Sequence, residues 1–345
     1  MVTAAILDAE AGVRMTAVIC LGEALIDRLE PWGGHPGQDC LGGAPANVAC
    51  ALARLGTPAA LISRLGDDAP GEALRTCCAG RGVDLRGLQR DPNRPTRVVL
   101  VTRDAQGDRC FGGFSGDRGQ GFADQALDAT ALPSALFQQS RWLVIGSIPL
   151  ASPASAAALD RAVALQHDHG GRVVLDVNWR PSFWPVAAEA ARERLQPLLR
   201  RVQLLKLAAE EAEWLFGSRD PQQVALQLPQ HPGVVITDGG HGVAWWLADI
   251  AGRRPAPVVP VADTTGAGDA FLAGLLQGLL QGEERTGETA VEKEAMVAEA
   301  IAFACACGSI VCTGPGAIDP QPDAAGVQRF LADGTLPAVI PAPHE

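Results

Sequence analysis

Short apolar runs closed by glycine or a turn recur along the chain, separated by stretches whose apolar positions fall on a helical period. The first run is Val18-Ile19-Cys20-Leu21, stopped by Gly22, and it predicts a buried strand. Residues 46–55 set Ala, Val and Leu on one helical face, with Gly56 as the stop. Strands are expected over 59–64 and 97–102, with a helix over 71–80 between them. From residue 140 onward the alternation is regular. A strand over 140–148 holds Trp142-Leu143-Val144-Ile145, an Ala-rich helix covers 154–169, and a strand covers 172–177. Apolar runs at 204–207, 234–237 and 243–247 follow, then long helices over 267–282 and 291–307. Strands and helices in turn imply βαβ units, hence an α/β domain with a largely parallel sheet and helices on both faces. Within 24–42 and 91–120 the helical period vanishes and β-type residues mix with Gly and Asp, so a small antiparallel excursion is expected there. Residues 16–320 read as one domain. Residues 1–15 read as an N-terminal extension, with Met15 an alternative start, and the Pro-rich tail over 321–345 as a surface segment. No internal repeat is visible.

Composition narrows the class. The chain has 345 residues, 47% hydrophobic and 19% charged, which suits a packed core and excludes disorder as its main state. Lys+Arg number 28 against 39 Asp+Glu, a net charge of −11. That acidity argues against nucleic acid or an anionic membrane as partner, since both require a basic footprint, but leaves room for a small anionic ligand. No stretch reaches the roughly 20 uninterrupted apolar residues of a membrane helix. Asp8 and Glu10 near the start do not fit a signal peptide. Nine cysteines without paired spacing read as reduced thiols in a cytoplasmic protein.

The candidate chemistry concentrates in Asp263-Thr264-Thr265-Gly266-Ala267-Gly268-Asp269, which leads into the apolar helix from Ala270. A Gly-rich turn opening a helix aims several backbone N–H groups at one point, and the helix dipole adds positive charge there. Asp269 in the first turn would face the bound anion. A carboxylate there makes sense as the acceptor of a proton from a hydroxyl attacking phosphorus. It could equally be a helix-start carboxylate stabilising the dipole by about 0.3–1 kcal/mol. The chain has neither a G-x-x-x-x-G-K-[ST] loop nor a dinucleotide fingerprint after its first strand.

These residues carry a resemblance. Asp263 to Asp269 resembles the C-terminal signature of the ribokinase/PfkB carbohydrate-kinase family, and Gly42-Gly43-Ala44-Pro45-Ala46-Asn47-Val48-Ala49 its N-terminal signature. Gly66-Asp67-Asp68 and Gly71 match the segment that follows. The order is correct from about Cys20 to Ala317. The resemblance implies a doubly wound ribokinase-like domain with a β lid, and an ATP- and Mg2+-dependent kinase of a sugar hydroxyl. It makes Asp269 the base, and the backbone of Gly266, Ala267 and Gly268 the anion hole. Asp27, Gly43, Asn47 and Arg180 are the implied sugar contacts, Gly43 by close approach. Asp27 could instead cap a turn, Asn47 a helix, and Arg180 could pair with a surface acid. Asn178, Lys206, Thr237, Gly239 and Gly242 are implied near ATP, and residues 302–317 beside the adenine.

Glu211 matches the acid that arranges Mg2+ through water, while Ala208 and Cys305 depart from the polar residues many members carry at those places. Asp263 and the Thr265 backbone are the implied holders of a monovalent cation, K+. Gly22-Glu23-Ala24-Leu25-Ile26-Asp27, Gly146-Ser147-Ile148 and Trp184 look more like fructokinases than ribokinases. Fructose is therefore the expected acceptor, giving fructose 6-phosphate. Ribose, 2-keto-3-deoxygluconate or a nucleoside remain alternatives, as does a catalytically weak member with a binding role. A homodimer through the lid also goes with the resemblance. Cys305, Cys307 and Cys312 read as core packing, and His167 and His169 as a helix end.

Overall fold

A computed structural model describes residues 16–31, 36–103, 109–116, 121–283 and 289–337. The expected extension over 1–15 lies outside the described residues. The strands among the described residues are β1 (Val18–Leu21), β2 (Leu25–Leu29), β3 (Gln38–Gly42), β4 (Ala59–Gly66), β5 (Asp84–Asp91), β6 (Val98–Arg103), β7 (Arg109–Phe114), β8 (Trp142–Gly146), β9 (Arg172–Asp176), β10 (Leu204–Ala208), β11 (Gly233–Thr237), β12 (Val243–Leu247) and β13 (Ile250–Arg254). The helices are α1 (Ala44–Leu55), α2 (Ala69–Gly80), α3 (Ser134–Phe137), α4 (Pro153–Asp168), α5 (Ala188–Leu199), α6 (Ala209–Phe216), α7 (Pro221–Leu226), α8 (Ala267–Glu283), α9 (Ala290–Val311) and α10 (Ala324–Asp333).

Nine strands form the main sheet in the order β13-β12-β11-β10-β9-β8-β1-β4-β5. It is parallel from β11 to β5, with β12 and β13 antiparallel at one edge. Successive residues of each buried strand face opposite sides. Val18 and Cys20 of β1, Val174 and Val235 pack with α1, α8 and α9. Ile19, Leu21, Leu175 and Ile236 pack with α4 to α7 on the other side. Two separate cores on two faces are what the doubly wound expectation requires. Chain order reverses at β1, which has β4 on one side and β8 on the other, so a crevice opens there beyond the carboxyl ends of the strands.

The small sheet exists, with strand order β3-β2-β6-β7, but it is not wholly antiparallel. β2 and β6 run parallel, Ile26 opposite Val98. The two pieces come from distant points of the chain and leave the main sheet in the same sense, so they meet side by side.

The tail also departs from expectation. α10 is a helix, capped by Asp323, which accepts from the Gly326 amide at 2.6 Å, and closed by Gly334 at φ +78°. Its Val327 is fully buried within the core shared by α8 and α9. The Gln321 side chain donates to the Asn47 carbonyl at 2.9 Å, and Arg54 donates to the Gln321 carbonyl at 2.6 Å. The tail is therefore tied to α1. α9 is long and apolar enough to cross a membrane by length and composition, but 56% of that window is buried in the protein. Core packing of a helix otherwise rich in Ala, Ile and Val accounts for its hydropathy.

Candidate active site

The crevice is a cavity of about 870 Å³, within the range of small-molecule sites. Its floor is built from residues at or just past the carboxyl ends of β1, β9, β10 and β11: Glu23, Asp176, Asn178, Lys206, Ala208 and Thr237. The start of α8 supplies Gly266, Gly268 and Asp269, and the start of α1 supplies Gly43 and Asn47. The small sheet closes the opposite side through Leu25, Asp27, Val99, Val101, Cys110 and Phe111. Arg180, Glu211, Asp263 and Thr265 complete the expected residues that line it.

Asp269 sits partly buried in the first turn of α8, where helix geometry leaves the amides of Gly268 and Asp269 without intrahelical carbonyls. Its Oδ2 accepts from Asn47 Nδ2 at 2.8 Å. Asn47 is therefore inside α1, with its own amide donating to the Gly43 carbonyl at 2.9 Å, and is not the helix cap. Loss of solvation and the charge of Asp176 push the Asp269 carboxyl up to about 6, against the pull of Lys206, Asn47 and Arg180. A base that is ionised at neutral pH but not far below it is well matched to accept a proton.

Lys206 and Asp176 form an ion pair at 2.7 Å, both side chains less than a tenth exposed. Burial works against the ammonium, but the Asp176 carboxylate overrides it and raises the Lys206 pKa, so the cation persists. A Cβ at Gly268 would stand 2.9 Å from Lys206 Nζ, so glycine there lets the ammonium come up beside the helix start. Asp176 Oδ1 is buried without a hydrogen-bond partner. Glu211 Oε1 accepts from the Trp179 amide at 2.6 Å and Oε2 from the Ala208 amide at 2.8 Å. Burial, then the Asp176 charge, raise the Glu211 pKa. Ala208 thus keeps its place through its backbone.

The local geometry bears on three of the expected contacts. The Ala267 amide donates to the Thr264 carbonyl at 3.3 Å, and Ala267 does not line the cavity, whereas Gly266, Gly268 and Asp269 do. Gly239 and Gly242 lie in the short turn between β11 and β12, also outside the lining; the Gly242 carbonyl accepts from the Asp238 amide at 2.8 Å. Gly43, at φ +98°, is required by the protein itself: a Cβ would fall 2.5 Å from the Glu23 carbonyl oxygen. Asp263 acts as a bracket. Its Oδ1 takes the Thr265 amide at 3.0 Å and hydroxyl at 2.7 Å, and its Oδ2 takes the Gly316 amide at 2.7 Å. Cys305, Cys307 and Cys312 are buried and free, as core packing predicts. His169 closes α4.

Sequence reasoning assigned no role to Glu23, Asp176 or Phe183, which all line the cavity. Asp176 carried a signal, a carboxylate as the last residue of a buried strand. Phe183 carried none.

Among the described residues no group of three His, Cys, Asp or Glu side chains could hold a metal ion. A Mg2+ ion that is bound chiefly through phosphates and water, with one or two carboxylates nearby, fits this donor set; the unpaired buried Oδ1 of Asp176 points the same way.

Comparison with known proteins agrees with this geometry. The chain is 34% identical over 314 residues to a fructokinase from Klebsiella pneumoniae, covering 90% of this chain and 98% of that one. A crystal structure of fructokinase with bound ATP from Xylella fastidiosa superposes with a TM-score of 0.80 at 27% identity, covering 93% of this chain and 99% of the other. Aminoimidazole riboside kinase from Salmonella enterica, complexed with aminoimidazole riboside and an ATP analogue, gives 0.77 at 30% identity, covering 92% and 100%. Residues 15–324 match the sequence model of the pfkB family carbohydrate kinases, and the chain belongs to that family.

Proposed function

We propose that the protein transfers the γ-phosphoryl group of ATP to the primary hydroxyl of fructose, giving fructose 6-phosphate and ADP. The observation that carries this reading is Asp269, a carboxylate pushed up to about 6, held by Asn47 at the head of a helix inside one cavity with Asp27 and Lys206. The similarity to fructokinases supports the choice of sugar. Asp27 and Asn47 supply the acceptors and donors that a polyol requires. In this mechanism Asp269 takes the proton of the attacking hydroxyl. The transferring phosphoryl group is held by the Gly268 and Asp269 amides, by Lys206 and by Arg180, whose planar fork suits an oxyanion. Asp176 and Glu211 are the carboxylates next to which a Mg2+ would sit, supplying charge neutralisation on the phosphates when bound.

Asp263, whose carboxylate joins the turn to residue 316, and the Thr265 backbone are the groups beside which a K+ would sit. The residues of the small sheet act as a lid over the sugar. A homodimer through that sheet is consistent with Phe111, 49% exposed on β7, a strand at the sheet edge, and sedimentation reads it directly. The buried thiols of Cys305, Cys307 and Cys312 suit a reducing cytoplasm.

The test is ADP release with millimolar fructose, ribose, 2-keto-3-deoxygluconate and nucleosides in parallel. Fructose should give the highest kcat/KM. In Asp269→Asn, kcat with fructose should fall by about a hundred- to ten-thousandfold while calorimetry still detects the sugar. Near-normal turnover in that variant rejects the base.

A further inference from the structure

Beside the main cavity lies a second, smaller one with room for about 10 Å³, close to the space of a single water. Glu23 lines both cavities. It follows β1, is 3% exposed, and its Oε1 accepts from the Ala44 amide, the first residue of α1, at 3.3 Å. Its Oε2 is buried and has no partner. On the other wall of the small cavity is Arg97, immediately before β6 and 2% exposed. Two arms of its guanidinium bind the Asp124 carboxylate, Nε at 2.8 Å and Nη2 at 3.1 Å, while Nη1 is buried without a partner. The guanidinium carbon lies 5.0 Å from the Phe114 ring centre, 4.6 Å from Phe122 and 4.7 Å from Phe183. Phe114 belongs to the small sheet, and Phe183 closes the short turn that follows Arg180.

Glu23 and Arg97 thus line one water-sized cavity and each carries an orphaned buried polar atom, which is costly unless something joins them. We propose that Glu23 is a positioning residue which, through one buried water shared with Arg97 Nη1, locks the start of α1, and with it Asn47 and Asp269, to the base of the small sheet. Along this path the small sheet and the catalytic carboxylate keep one geometry: Arg97 to water to Glu23, Glu23 to the Ala44 amide, and Asn47 to Asp269.

A water there accepts from Arg97 Nη1 and still has bonds for Glu23 Oε2, accepting from the protonated acid or donating to the carboxylate. Burial pushes the Glu23 carboxyl up to about 8, with the nearby Asp124 and Asp269 charges adding to it and the Glu23 and Ala44 amides opposing. Arg97 is the cation facing it across the small cavity. Asp27, Asp176, Arg180, Lys206, Glu211 and Asp263 are the remaining charged residues that line the main cavity. At pH 7 the neutral acid is therefore the prevailing form, and glutamine is its isostere.

The inference rests on the kinase reading for its catalytic arm, so the test has a second arm that needs no substrate. In steady-state assays with fructose and ATP, Glu23→Gln should keep kcat/KM within about threefold at pH 7, and Glu23→Ala should lose about tenfold or more. Above pH 8 the wild type should lose fructose affinity as Glu23 ionises, while Glu23→Gln should not. In thermal unfolding without ligands, a group with folded pKa raised to about 8 takes up a proton on folding, so its contribution declines from about pH 4.5 to 8. The Tm of Glu23→Gln relative to wild type should rise across that window. A Glu23→Gln variant as impaired as Glu23→Ala, or with the wild-type pH dependence of Tm, overturns the proposal. So does a high-resolution crystal structure with the small cavity empty. If wild type ignores fructose, the function proposed above fails, while the Tm comparison and the water still decide the role of Glu23.

Discussion

At the scale of the residue, the site is governed by what surrounds Asp269. An isolated aspartate would be ionised well below pH 5, but desolvation and Asp176 raise this one to about 6. The base must be ionised to act, so the rate is full above that value and lost as pH falls through it. The kcat/KM for fructose should therefore show an acid limb near pH 6 that reports the free enzyme. A profile flat down to pH 5 would contradict the assignment. The identity of Asp269 was legible from its glycine turn. Its environment was not: Asn47, which bonds it, lies 222 positions away, and Asp176 and Lys206 come from two other strands. A pKa depends on distances in space, and the local pattern carries none of them.

At the scale of the element, strands and helices with strong periodicity fell where their pattern placed them, and the failures have local causes. β5, Asp-Leu-Arg-Gly-Leu-Gln-Arg-Asp, is an edge strand, so it lacks the continuous apolar run of its buried neighbours. α10 follows two prolines and carries a glycine, and the burial of Val327 against the core adds to its Asp323 cap in making it a stable helix. Gly43 shows how an element start can be set by packing. Its φ of +98° and the Glu23 carbonyl 2.5 Å from any Cβ leave no room for a side chain. Gly43→Ala should therefore lower stability by about 1–3 kcal/mol in urea unfolding and lower kcat/KM with it, because α1 carries Asn47. An unchanged unfolding midpoint would show that the strand turn yields instead.

At the scale of the whole molecule, the charge distribution separates the metal from the protein. The chain is acidic, yet among the described residues its carboxylates do not gather into a metal cage. The ion should therefore arrive with the nucleotide. Chelation with EDTA should abolish ADP release, and Mg2+ without ATP should leave Tm within about 1 °C, since binding stabilises only in proportion to affinity. A large shift from Mg2+ alone would reveal a protein site. From the chain alone came the α/β class, the two signature segments and Asp269 as the candidate base, because strand period, glycine turns and helix starts are encoded by neighbours within a few residues. Only the tertiary structure decided which carboxylate titrates near neutrality and that the small sheet pairs in parallel at its centre. It also decided that the tail folds back on α1, and that Glu23 faces Arg97 across a gap the size of a water. Each of these depends on groups far apart along the chain, whose mutual distance is set when the two cores close on either side of the sheet.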